Sequence, residues 1–130
     1  MKKLHLLFIL ALCLVVSLAV AQEKNNKKEK PKEVTITGRI TDVKCHLNGM
    51  EEDMGEDHKQ CAIDCIKSGL PVGILEDKTD KLYIVVPSKG MKSANEELLK
   101  HADQKVKLTG KMLERSGVKM FAYTKVEGTK

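Results

Sequence analysis

Five short segments in which apolar and polar residues alternate constrain the fold of this chain more than any other feature. Such alternation is typical of β-strands that bury one face. The first segment, for example, places Val34, Ile36 and Ile40 on one side. The predicted strands are VTITGRITD, PVGILED, KLYIVV, KVKLTGKMLE and VKMFAYTKV, covering residues 34–42, 71–77, 81–86, 105–114 and 118–126.

A helical segment follows the third predicted strand. Ser93 and Glu96 have the spacing of a capping box, and an apolar stripe follows at Ala94, Leu98, Leu99 and Ala102. The order of three strands, one helix and two strands is that of a mainly β, five-stranded Greek-key barrel, the OB-fold. We prefer a closed barrel to an open sheet because closure removes exposed strand edges.

Two glycines, Gly38 and Gly110, occur at matching places in the first and fourth strands, VTITGRI and VKLTGKM. A barrel strand must bend sharply, and glycine permits a bulge or a positive φ there. We therefore expect Gly38 to adopt a conformation that a β-branched residue cannot take.

An insertion of about residues 44–70 separates the first two strands, and it contains a second predicted helix. Asp57 can cap this helix, with Gln60 three residues later. Gly69 and Pro71 are the residues expected just beyond its end. The pattern predicts a helix from Asp57 to about Ser68.

Three cysteines and a histidine lie in one 21-residue stretch of this insertion, with His58, Cys61 and Cys65 spaced H-x2-C-x3-C. Residues i, i+3 and i+7 share one face of a helix. Together with Cys45 they form a Cys3His set of a kind that zinc accepts. Soft thiolates suit Cu(I) equally well. We predict a metal site at Cys45, His58, Cys61 and Cys65 that holds Zn or Cu.

A disulfide is the main alternative for these cysteines. A bond from Cys45 to Cys61 or Cys65 would close a loop of about 15–20 residues and contribute roughly 3 kcal/mol. A bond between Cys61 and Cys65 is geometrically poor on a regular helix. Three cysteines cannot all pair, so one thiol is left over. Thiol redox exchange is a further alternative.

The first 21 residues predict export. A basic start at Lys2 and Lys3, an apolar run and the A-x-A sequence ending at Ala21 are typical of a signal peptide, residues 1–21. Residues 22–33 follow as a Lys-rich stretch that we interpret as a disordered linker. Residues 34–128 then form one OB-fold-like domain. We expect a periplasmic or secreted protein without a membrane span after cleavage.

The remaining function classes have less support. No serine-nucleophile motif and no phosphate loop is present, so we expect a binding protein and not an enzyme. Lys119, Phe121, Tyr123 and Lys125 share a face of the fifth strand and could form a stacking platform for single-stranded nucleic acid. Export and only three aromatic residues after Ala21 count against that role. We expect a monomer that binds a protein or a small ligand.

The runs GRITDVKC, H-x2-C-A-x2-C, GLPVGIL, DKLYIV and VKLTGK resemble a group of small exported bacterial proteins with OB-fold-like domains. The resemblance spans residues 34–126. It implies an OB-fold-like barrel with a C…H-x2-C-x3-C insertion, and it implies no particular activity, because the biochemical role of that group is not established.

Overall fold

The computed structural model describes residues 31–50 and 57–129. The predicted signal peptide and linker residues 22–30 lie outside the described residues. The elements, in chain order, are β1 Glu33–Asp42, α1 Val43–Leu47, α2 His58–Lys67, β2 Val72–Glu76, β3 Leu82–Pro87, α3 Asn95–Leu98, a 3₁₀ turn Leu99–His101, β4 Lys105–Arg115 and β5 Val118–Gly128.

The strands close into a five-stranded barrel in the order β1-β2-β3-β5-β4. β1 pairs antiparallel with both β2 and β4, and β3 pairs in parallel with β5. The predicted mainly β class and the closed barrel are therefore confirmed. The β4–β5 hairpin turns at Ser116 and Gly117, whose φ angles of 53° and 80° are those a type I′ turn requires.

Gly38 is needed for close packing and not for an unusual backbone angle. Its φ is not positive, so the expected reason for this glycine is wrong. A Cβ added there would lie 2.2 Å from the carbonyl oxygen of Leu75 on β2. Gly110 is similarly crowded by the carbonyl of Ala122. It also follows a register shift at Thr109, as expected for a bulge.

The barrel interior is filled by apolar residues from all five strands, and Tyr83 and Phe121 meet edge to face with ring centroids 6.4 Å apart. Phe121 is 0% exposed and Tyr123 is 5% exposed. Phe121 and Tyr123 therefore do not form the stacking platform considered for β5, because both side chains belong to the core.

The α3 segment covers one end of this core through Ala94, Leu98 and Ala102, all of which are buried. The regular helix begins at Asn95, and Ser93 Oγ accepts a hydrogen bond from the Asn95 backbone N–H at 3.1 Å. The reciprocal capping box with Glu96 is not formed among the described contacts. No helix in the described ranges has both the length and the apolar character that a membrane crossing needs.

Candidate metal centre

Cys45 is positioned by the end of β1. The last residue of that strand, Asp42, is the N-cap of α1, and its Oδ1 accepts a hydrogen bond from the Cys45 backbone N–H at 2.8 Å. The Val43 N–H donates to the carbonyl of Pro71, which ties the start of α1 to the start of β2. These two bonds fix Cys45 against the barrel, where it is 1% exposed.

Cys61 and Cys65 are positioned by α2, and hydrogen bonds fix the C-terminal end of this helix. The N–H of Gly69 donates to Ile66 and that of Leu70 donates to Cys65, which together form a Schellman motif. Gly69 has the positive φ, 90°, that this motif requires. The Asn95 side chain also donates to the carbonyls of Ile66 and Leu70, so α3 anchors the same helix end.

The three sulfur atoms lie together. Cys45 Sγ is 3.5 Å from Cys61 Sγ and 3.7 Å from Cys65 Sγ, and all three lie within 4.8 Å of one another. A disulfide needs about 2.05 Å, and the three described cysteines are free thiols. A zinc ion with Zn–S distances of about 2.3 Å separates its sulfur ligands by roughly 3.8 Å in a regular tetrahedron. The observed separations fit metal ligands better than a bonded pair.

His58 lies in a second group of donors. It is buried in the first turn of α2, and one of its nitrogens lies within 4.8 Å of a carboxylate oxygen of Asp42 and of Cys45 Sγ. Within the described residues, the four side chains named from the sequence thus form two groups, and Cys45 belongs to both. Either group could hold a metal ion.

Charged residues also lie near the His58 ring. His58 Nδ1 is 3.7 Å from Asp103 Oδ1, and Arg39 Nη1 donates to the same oxygen at 2.8 Å. A carboxylate beside the second nitrogen of an imidazole is the usual outer contact of a metal-binding histidine.

Burial controls the ionisation of two of the thiols. It is the largest cause that raises the pKa of Cys45 well above its usual range, and the neighbouring Cys61 thiol and Asp42 raise it further. Burial likewise raises the pKa of Cys65. A metal ion favours the thiolate form, so binding must overcome this cost and release the thiol protons.

A surface cleft of about 630 Å³ leads to the sulfurs. Cys61 and Cys65 line it, together with Lys44, Asp57, Gln60, Asp64, Ser68 and Leu70. The centre therefore has one protein-covered side, formed by Cys45, and one side that opens toward solvent. An ion or an additional ligand can reach the two helical cysteines through this cleft.

Asp42 is the site residue that sequence reasoning missed. The available signal was its position at the end of a predicted strand and three residues before Cys45, since Asp is a strong N-cap residue. Asp57 occupies the N-cap position of α2 as predicted, but its side chain makes no capping bond, and Gln60 instead donates to Asp64 Oδ1 at 3.0 Å.

Comparison of the chain with protein-family models, with curated proteins and with solved structures finds no match. The function must therefore be inferred from the site.

Proposed function

We propose that this chain is a small exported protein with an OB-fold-like barrel that binds a soft transition metal, Zn²⁺ or Cu(I), and serves as a metal-handling accessory. The thiolates of Cys45, Cys61 and Cys65 supply the ligands. The observation that carries this proposal is the separation of the three sulfur atoms, 3.5 and 3.7 Å from Cys45.

The arrangement suits binding and transfer more than permanent burial of an ion. Three thiolates suffice for a trigonal Cu(I) site and leave one position of a zinc tetrahedron for another ligand. Cys61 and Cys65 line the cleft, so a water molecule or a donor from a partner can occupy that position. A structural zinc site, by contrast, is normally closed by four protein ligands.

Metal titration of the reduced protein tests the proposal. We expect Zn²⁺ or Cu(I) to bind with release of protons, because the thiols must ionise. Calorimetry in buffers of different ionisation enthalpy measures both the affinity and the protons. Cys61→Ser and Cys65→Ser should each weaken binding strongly, whereas the control His101→Ala, which changes a residue of the 3₁₀ turn, should not. Equal effects of all three substitutions would contradict the assignment.

A disulfide-stabilised domain that binds a partner and holds no metal is the alternative function. The 3.5 Å separation of the Cys45 and Cys61 sulfurs favours this pair, which would have to approach by roughly 1.5 Å to bond. Intact mass and thiol counting on protein from the exported fraction distinguish the two functions. One free thiol per chain supports the disulfide, and three free thiols support the metal site. An intact mass equal to that of a chain starting at Gln22 supports export.

A further inference from the structure

A buried carboxylate, that of Asp42, lies beside the cysteines. Asp42 is 0% exposed, and only its Oδ1 is used in capping α1. Its Oδ2 has no hydrogen-bond partner among the described residues. A buried charged oxygen is costly unless it is paired or coordinates a cation. The donors within 4.8 Å of the Asp42 carboxylate include Cys45 and His58, which are both metal-ligand types.

We propose that the centre holds two divalent ions of the zinc type and that the Cys45 thiolate bridges them. The first ion is the one of the proposed function, held by Cys45, Cys61 and Cys65. The second is held by Asp42, Cys45 and His58. This inference rests on the proposed function and extends it from one ion to two.

Charge balance supports a second ion. Once the first ion has ionised all three thiols, the thiolates and the Asp42 carboxylate carry four negative charges, and that single divalent ion leaves two of them uncompensated. Asp42 and Cys45 are 0% and 1% exposed, so water cannot solvate the excess. Two divalent ions neutralise the four charges.

The contact of His58 with Asp103 supports its role as a ligand of the second ion. Asp103 lies 3.7 Å from Nδ1 and is itself held by Arg39. A carboxylate beside an imidazole ring is the usual outer contact of a metal-binding histidine, and Asp103 supplies one. Asp103 is thus a positioning residue and not a ligand.

Metal stoichiometry tests the second site. Reduced protein is incubated with excess zinc, unbound metal is removed by gel filtration, and zinc per chain is counted by native mass spectrometry. We expect two ions in the unchanged protein and one in Asp42→Asn and in His58→Gln. The asparagine keeps an oxygen that can cap α1, which makes the first variant conservative. Asp80→Asn, which changes an exposed carboxylate in the turn between β2 and β3, is the matched control and should keep two ions.

Cobalt provides a readout of the bridge. Two Co²⁺ ions that share a sulfur ligand couple magnetically, so the fully loaded protein should give a weaker electron paramagnetic resonance signal per ion than Asp42→Asn does. Equal signal per ion would overturn the bridging role of Cys45.

The outcomes separate the two proposals. One zinc ion in the unchanged protein refutes the second site and leaves the proposed function intact. No bound zinc overturns the second site as well, and the proposed function also fails if the reduced protein binds no Cu(I). Two ions in both variants would place the second ion elsewhere and overturn the inference. Circular dichroism of the metal-free variants reports whether each variant folds. If Asp42→Asn does not fold, the number of zinc ions bound by His58→Gln tests the second site.

Discussion

Replacement of Gly38 by Ala should destabilise the barrel through backbone crowding. The new Cβ would lie 2.2 Å from the Leu75 carbonyl oxygen and 2.9 Å from Ile74 Cγ1, whereas ordinary contacts begin at 3.4 Å. The closer of these atoms, the Leu75 oxygen, belongs to the backbone. The strand pairing of Gly38 with Glu76 and of Arg39 with Leu75 fixes its position. It cannot rotate away as a side-chain end can, so β1 and β2 must separate by about 1 Å.

We expect a loss of about 2–3 kcal/mol in the free energy of unfolding, the upper part of the range for an overpacked site. For a domain of about 100 residues this corresponds to a fall of roughly 10–20 °C in Tm. Urea and thermal unfolding, followed by circular dichroism in the presence of a chelator, measure both quantities without a contribution from metal.

Gly128→Ala is the matched control, because it makes the same chemical change at the end of β5. The nearest atom to its added Cβ is His101 Cε1 at 3.9 Å, so no crowding results. We expect this variant to change stability by less than about 1 kcal/mol. If Gly38→Ala were as stable as Gly128→Ala, the close approach of β1 and β2 would not be what requires glycine at position 38.

The remaining predictions concern the metal site and the tyrosines. Zinc at about 100 times its Kd should raise the free energy of unfolding by about 2.7 kcal/mol, and Cys65→Ser should remove most of that gain in the same unfolding assay. In reduced, metal-free protein, Cys45 should be alkylated by iodoacetamide more slowly than Cys61, because it is buried and its pKa is raised; peptide mapping that finds Cys45 labelled first would contradict the structure. Burial raises the pKa values of Tyr83 and Tyr123, so their stabilisation is present below the unfolded value of about 10 and is lost as the pH rises through the higher folded values. Stability should therefore fall above about pH 10, and less steeply in Tyr123→Phe; an unchanged slope would argue against this residue as a source.

The barrel follows closely from local sequence pattern. Alternation in β1 predicts the burial of Ile36 and Ile40, and both side chains lie in the core. The turn at Ser116 and Gly117 is also a local feature, because few residues other than glycine accept a positive φ without cost. These features depend on neighbours in the chain, which a single sequence displays directly.

Three details that depend on distant parts of the chain were not predicted from the sequence. Alternation on β5 cannot distinguish a solvent-facing aromatic pair from a core pair, and barrel closure buries both Phe121 and Tyr123. Gly38 was expected to need a positive φ, whereas the constraint comes from Leu75, a residue 37 positions later. The partnership of Asp42 with Cys45 and His58 likewise requires α2 to lie against the end of β1.

The metal centre is assembled by the barrel and does not have to be assembled by the ion. Helical spacing alone can align Cys61 with Cys65, but Cys45 reaches them only because Asp42 ends β1, caps α1 and leaves Val43 bonded to Pro71 at the start of β2. None of the three cysteines belongs to the main apolar core cluster of the described residues. We therefore expect the metal-free protein to fold and to keep its thiols together, in contrast to zinc fingers, which fold only with their ion. In the proposed metal-handling role, we expect an ion to bind and leave without unfolding the domain, because the barrel brings the donors together during folding.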